Sequence, residues 1–423
     1  MRMNEIMTTI PQLLSGEKLS QAMSVLPEYD PGILEASGSE RLLALSSLYD
    51  IYIPAPMSVE VYEKLYMGLM RSLQKKGSRL SVLQQNENYR ATRGTESRGI
   101  IGGADSFTII GDSGIGKSSA IERAVSLIQG SRIITVDNPF CKIIPCVTVQ
   151  CPFDCSVKGL LLEVLRKVDE AIGTRYYVAA LHARATTDML IGSVAQVSLN
   201  HIGLLIVDEI QNVVGSRNGR SLMSMLTQLI NSSGISICMV GTPECGIFFE
   251  QAMQLARRTV GLNYGPLLLD DFFSEVCRVL FSYRFVKHEI RATEKMVTWL
   301  YEHTRGILGV LVSLIHDSQE LAILSGTEMV NITILEEVYR KRFAMMHTHL
   351  LSNTMPVAAQ RKTEYRKVEN ENSVIEKTKD RAIQKVSEGI PGTIASLVQI
   401  SKAEKVEMAD LLKTHNLLEE VDV

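Results

Sequence analysis

Gly111-Asp112-Ser113-Gly114-Ile115-Gly116-Lys117-Ser118 fits the pattern G-x-x-x-x-G-K-[ST] in full, and its flanks decide the fold. The apolar run 106–110 comes before it and a helical pattern over 119–127 follows, so the loop falls where a strand passes into a helix. Glycines let such a loop wrap phosphate groups, while its N–H groups and the helix N-terminus attract negative charge. In this arrangement Lys117 reaches the β and γ phosphates of ATP, Ser118 ligates Mg²⁺, and the loop with Ser119 forms the nucleotide cradle.

Further along, Leu204-Leu205-Ile206-Val207-Asp208-Glu209 reads as a buried strand ending in two acids, at a spacing compatible with strands adjacent in one sheet. Asp208 would hold the water shell of Mg²⁺ and Glu209 would polarise the water that attacks the γ-phosphate; acids capping a following helix are the plainer alternative. The run 235–240 leads into Gly241-Thr242-Pro243-Glu244, which puts Thr242 at the carboxyl edge of the sheet as a candidate sensor of the γ-phosphate. A hydroxyl that only caps the turn before Pro243 is the alternative. Arg257 and Arg258 follow a helical pattern, a position from which an arginine can enter a neighbouring subunit's nucleotide site; surface arginines paired with acids are the alternative.

Around these motifs the chain alternates short apolar runs, at 106–110, 144–150, 203–207 and 235–240, with helical segments, as a parallel sheet with crossover helices requires. Beyond 267 only helical patterns remain, over 271–283, 292–302, 309–324 and 332–346. The expectation is a P-loop AAA+ core of α/β class at 100–267 with a small helical lid at 268–350. A helical N-terminal extension at 1–99 precedes them, and a charged linker and docking tail at 351–423 follows. Within the extension, leucines 42, 43, 45 and 48 precede an extended stretch Ile51-Tyr52-Ile53-Pro54-Ala55-Pro56. A second helix carries Val61, Leu65, Leu69, Met70 and Leu73, and the polar segment 74–98 reads as a linker or exposed loop.

With 423 residues, 45% of them hydrophobic and 22% charged, the chain is built to bury a sizeable core, so disorder throughout is excluded. A net charge of −3 means that any nucleic-acid contact must come from a local basic surface. No apolar run approaches the ~20 residues that span a bilayer, and the first residues do not read as a signal peptide, so a bacterial cytoplasmic location is expected. The seven cysteines are expected to be reduced. Cys141, Cys146, Cys151 and Cys155 invite a zinc reading but lack a C-x-x-C knuckle, which favours structural thiols.

Five segments occur in order: the Tyr52–Pro56 stretch, GDSGIGKSS, VTVQCPFDCSVKGLLLEVL, LLIVDEIQNV, and MVGTPE with a downstream LARR. Together they resemble the TnsC/TniB-type AAA+ regulators of DNA transposition over about residues 42–346. The resemblance implies an ATPase that assembles as a ring or helical filament on double-stranded target DNA. It would be recruited by a target selector of the TniQ/TnsD type and would signal to transposase subunits, with ATP hydrolysis governing assembly and release. By the same resemblance Lys117 and Ser118 serve the nucleotide loop, Asp208 and Glu209 the Walker B motif, Thr242 the first sensor, and Arg257 or Arg258 the finger. One departure stands out, because Gly306-Ile307-Leu308-Gly309 lacks the arginine of a G-x-x-R second sensor and only Arg305 lies beside it. The segments 154–158 and 174–187 could supply DNA contacts through Lys158, Arg175 and Arg184, against the alternative of solvated surface charges. Other classes considered are a secretion-associated AAA+ scaffold, which should carry a membrane span, and a replication-initiator-like loader, which should carry a DNA-binding helical domain after its lid.

Overall fold

The computed structural model describes residues 9–93, 98–101, 106–129, 133–137, 140–246 and 260–343. The chain divides into two compact units, Met1–Leu351 and Ser352–Val423; the tail expected at 351–423 lies outside the described residues.

In chain order the first unit contains α1 (Gly16–Met23), α2 (Gly38–Ala44), α3 (Pro56–Lys76), α4 (Arg79–Thr92), β1 (Phe107–Gly111), α5 (Lys117–Gln129), β2 (Ile134–Asp137) and β3 (Phe140–Gln150). It continues with α6 (Val157–Ile172), α7 (Tyr176–His182), α8 (Thr187–His201), β4 (Ile202–Asp208), α9 (Gly219–Ser233), β5 (Ser236–Gly241) and β6 (Val260–Tyr264). The lid follows as α10 (Asp271–Ser282), α11 (Glu294–Thr304), α12 (Leu308–Leu324) and α13 (Ile332–Val338). The helical pattern read over 332–346 breaks after Val338 into a π turn, Tyr339–Phe343.

The sheet runs β2-β3-β4-β5-β1-β6, parallel except for β2, which is antiparallel to β3. Every residue of β1 and β5 is buried, and in β4 only the terminal Asp208 is half-exposed, because helices cover both faces. On one face α3 and α5 press Leu65, Leu69, Ala120 and Ala124 against Phe107, Ile109, Leu204 and Ile206. On the other, α6, α8 and α9 press Val164, Val194 and Leu226 against Leu205, Val207 and Ile237. β1 and β4 are not neighbours as the spacing suggested: β5 lies between them, pairing with both. Two further strands, β2 and β6, went unread in the sequence because they are four and five residues long and lie at the sheet's edges, where polar residues such as Asn263 are tolerated.

The segment 74–98 is not an exposed loop, since α4 packs along α8. Its buried face is polar rather than apolar, which is why no periodicity betrays it. Gln84 Nε2 donates to Asn88 Oδ1 at 2.9 Å, Asn88 Nδ2 to the Ser232 carbonyl at 2.9 Å, and Gln85 Nε2 to Asn200 Oδ1 at 2.9 Å. Buried polar groups are tolerated when so paired.

Residues before α3 form a strap shared by core and lid. Leu45 and Leu48 belong to the lid's apolar cluster with Phe273, Leu280 and Leu314. Arg41, buried, forks onto Glu328 with both contacts at 2.6 Å and also donates to the Phe285 carbonyl at 2.8 Å. The Tyr29 hydroxyl donates to the Arg284 carbonyl and that of Tyr283 to the Pro27 carbonyl. At the core end, Arg123 on α5 donates to the Met23 carbonyl at 3.0 Å.

Core and lid join where the chain passes Leu267 and meets Gly306, whose carbonyl accepts from Leu267 N–H at 3.0 Å. Gly306 has φ +76, and a Cβ there would lie 2.1 Å from the Leu267 carbonyl oxygen. Gly306→Ala is therefore expected to destabilise the unit by about 2 kcal/mol or more, from left-handed strain plus overlap with backbone. Chemical denaturation is the measurement, and an unshifted midpoint would refute the close approach.

Candidate nucleotide site

The site is the cleft at the carboxyl ends of β1, β4 and β5, where helix-capped loops of open α/β sheets place ligands. Gly114 (φ +80) and Gly116 (φ +95) take the left-handed conformations that turn the loop 111–118 around a concavity. Lys117 Nζ donates to the carbonyls of Gly111 (2.7 Å) and Asp112 (2.8 Å), bracing the loop from within. Burial pushes the Lys117 ammonium below its usual range, against the pull of Asp208, Asp112 and Glu209. Burial likewise raises the Asp112 carboxyl, with Lys117 opposing. A desolvated cation on a glycine-bearing loop that opens a helix fits a polyphosphate.

Although a strand separates β1 from β4, Ser118 Oγ lies 3.1 Å from Asp208 Oδ2. A hydroxyl and a carboxylate so close, both hard oxygen donors, suit Mg²⁺ beside phosphates. Glu209 follows in the left-handed conformation, φ 57 and ψ 35, which swings its carboxylate off the strand line. Its N–H donates to Asp208 Oδ1 at 2.8 Å, and Gln211 Nε2 donates to its carboxylate. Gln211 Oε1 is buried without a protein partner. Thr242 opens onto the same cavity; its hydroxyl donates to the Glu244 carboxylate and does not cap the turn before Pro243.

The cavity has a volume of about 440 Å³, within the ~300–1,000 Å³ range of small-molecule sites. Its phosphate end holds Ser113, Gly114, Gly116, Lys117, Ser118, Ser119, Asp208 and Glu209. Its apolar end is made by strap residues Ile51 and Ile53 and lid residues Val276, Leu280, Leu308 and Val312. Such a wall can take a flat base, and no motif could have announced it, since it forms from three distant segments. The lid meets the loop through its backbone, with Gly309 N–H donating to the Gly114 carbonyl at 2.9 Å. Arg305 ends α11 and does not line the cavity. Gln211 was visible only as part of the quoted DEIQ run; its hold on Glu209 emerges from the left-handed turn.

Arg257 and Arg258 lie outside the described residues. Of the three DNA candidates, two are brought together and one is set apart. Lys158, in the first turn of α6, donates to the Ala185 carbonyl at 3.3 Å, next to Arg184. Arg175 precedes α7, beyond the far end of the 16-residue α6 from Lys158. Cys146, Cys151, Cys155, Cys238, Cys245 and Cys277 are buried free thiols, and burial pushes Cys146 and Cys151 up to about 12. Among the described residues no cluster of His, Cys, Asp or Glu is placed to hold a metal ion; the Cys141 side chain is outside them.

A parallel sheet carrying this loop, the Asp208–Glu209 turn and a helical lid closed over both defines a P-loop AAA+ core. Residues 102–263 match the family described as Bacterial TniB protein, in keeping with the resemblance that the motifs carry. No curated protein matches the chain. Among solved structures it is similar to the Orc1 protein of Aeropyrum pernix in complex with DNA, at 13% identity and a TM-score of 0.40, covering 66% of this chain and 69% of that one. It is also similar to Drosophila ORC bound to DNA, at 13% identity and a TM-score of 0.42, covering 84% and 75%. No helix among the described residues is long and apolar enough to cross a membrane.

Proposed function

We propose that this protein is an ATP-dependent regulator of DNA transposition that assembles on target DNA and links a target selector of the TniQ/TnsD type to transposase subunits. The observation that carries the reading is the TniB match over 102–263, which encloses the whole nucleotide loop and the Asp208–Glu209 turn.

ATP binds with its phosphates in the loop 111–119, held by Lys117. Ser118 and Asp208 would hold Mg²⁺, which would supply neutralisation of phosphate charge. Glu209 takes the proton of the attacking water, and Thr242 turns its hydroxyl toward the γ-phosphate. Arg257 or Arg258 of an adjoining subunit completes the site in trans, so that ATP favours the assembled state and hydrolysis removes that bias.

Electron microscopy of the protein with duplex DNA tests the proposal. Rings or filaments are expected on DNA with ATP or a slowly hydrolysed analogue and not with ADP. A monomer indifferent to DNA in every nucleotide state overturns it.

A further inference from the structure

The helical lid carries a second concavity, a groove of about 550 Å³ between α11 and α13 that shares no residue with the nucleotide cavity. Trp299, the single tryptophan of the chain, lines it together with Ile332. The indole is locked by its neighbours. His303 stacks on it with ring centroids 3.7 Å apart, His303 Nδ1 donates to the Trp299 carbonyl at 2.8 Å, and Tyr339 meets both rings edge-on. Trp299 is only half-buried, and among the described residues nothing accepts from its indole N–H. A rigid aromatic with an open donor loses little conformational entropy on meeting a ligand.

Three carboxylates line the same groove, Glu294, Glu302 and Glu336, against one cation, Lys295. All four are exposed, and none forms an ion pair among the described residues. Stabilisation of the lid accounts for Glu294, which lies in the first turn of α11, where the helix dipole favours a negative charge. It does not account for Glu302, which lies in the last turn of the same helix, where the dipole opposes it. A carboxylate kept there without a partner is free to meet a cation from outside.

The excess of negative charge turns away phosphates and other acidic ligands. A guanidinium matches both parts of the groove, since its plane stacks on an indole and its fork of N–H groups pairs with carboxylates. The volume is that of sites that take drug-sized molecules, a size that a few residues of peptide also have.

We propose that the lid groove between α11 and α13 is a docking site for an arginine-bearing peptide segment of another protein, with a guanidinium on Trp299 and arginines paired to Glu302 and Glu336. Because Trp299 is the only tryptophan, its fluorescence reads the groove directly in the full chain. The probe is an octapeptide of alternating arginine and glycine. A saturable change in emission is expected, and the same peptide with citrulline, the neutral isostere of arginine, should produce none. The double variant Glu302→Gln, Glu336→Gln should bind the arginine peptide about tenfold more weakly, as the loss of two exposed ion pairs implies. Its denaturation midpoint should equal that of wild type or rise, since Glu302 opposes the α11 dipole. No saturable change, an equal response to the citrulline peptide, or undiminished binding by the double variant overturns the proposal. So does a double variant that unfolds earlier than wild type, which would give the two acids to the lid's own stability. An emission that shifts with protein concentration alone would give the groove to a second copy of the chain and overturns it as well.

Discussion

Replacing Lys117 by alanine is expected to abolish ATP binding at physiological concentrations. Its ammonium is the only side-chain cation lining the phosphate end of the cavity among the described residues, and it is already partly desolvated there. Charged hydrogen bonds are worth about 1.5–3 kcal/mol each, so losing two of them weakens binding by about 100-fold or more. The substitution has a second effect, because Lys117 braces the loop through the Gly111 and Asp112 carbonyls. Both effects act in the same direction. Calorimetric titration with Mg-ATP is the measurement, and an affinity within about tenfold of wild type would remove Lys117 from the role given to it.

Glu209→Gln is expected to behave in the opposite sense, keeping the nucleotide and losing its turnover. The amide preserves shape and can still pair with Gln211, but it cannot accept a proton, and removal of a general base slows hydrolysis by about 10²–10⁴-fold. If hydrolysis releases the assembly as proposed, the variant should form long-lived DNA-bound oligomers in ATP where wild-type ones turn over. Single-turnover hydrolysis with DNA-dissociation kinetics reads both effects. Hydrolysis within about threefold of wild type would show that another group takes the proton.

The phosphate loop and the Asp208–Glu209 pair were legible because each is a contiguous run whose chemistry depends on neighbours in sequence. The strands that hold them were legible for a related reason, since burial on both faces demands unbroken apolar runs such as Leu204-Leu205-Ile206-Val207. What escaped has a common cause as well. α4 hides its core face in Ser81, Gln84 and Asn88, whose burial is satisfied by hydrogen bonds and leaves no hydrophobic period. The strand order escaped because adjacency in a parallel sheet is set by the crossovers, and the distance from Ser118 to Asp208 in sequence is indifferent to β5 lying between. The apolar end of the cavity escaped because Ile51, Leu280 and Val312 meet only once strap, core and lid are assembled.

The strap has a consequence for how the chain comes to be folded. Arg41 finds Glu328 287 residues later, and Tyr29 finds Arg284 255 residues later. At synthesis rates of about 5–20 residues per second, the strap leaves the ribosome roughly 15–60 seconds before its partners exist. Over that interval Leu45 and Leu48 have no lid cluster to enter, so this stretch is the part of the newborn protein with most to gain from a chaperone. It is also the last to dock, since contacts this distant in sequence carry the largest loop-closure cost. The apolar wall of the cavity is therefore completed last, only once strap and lid have met.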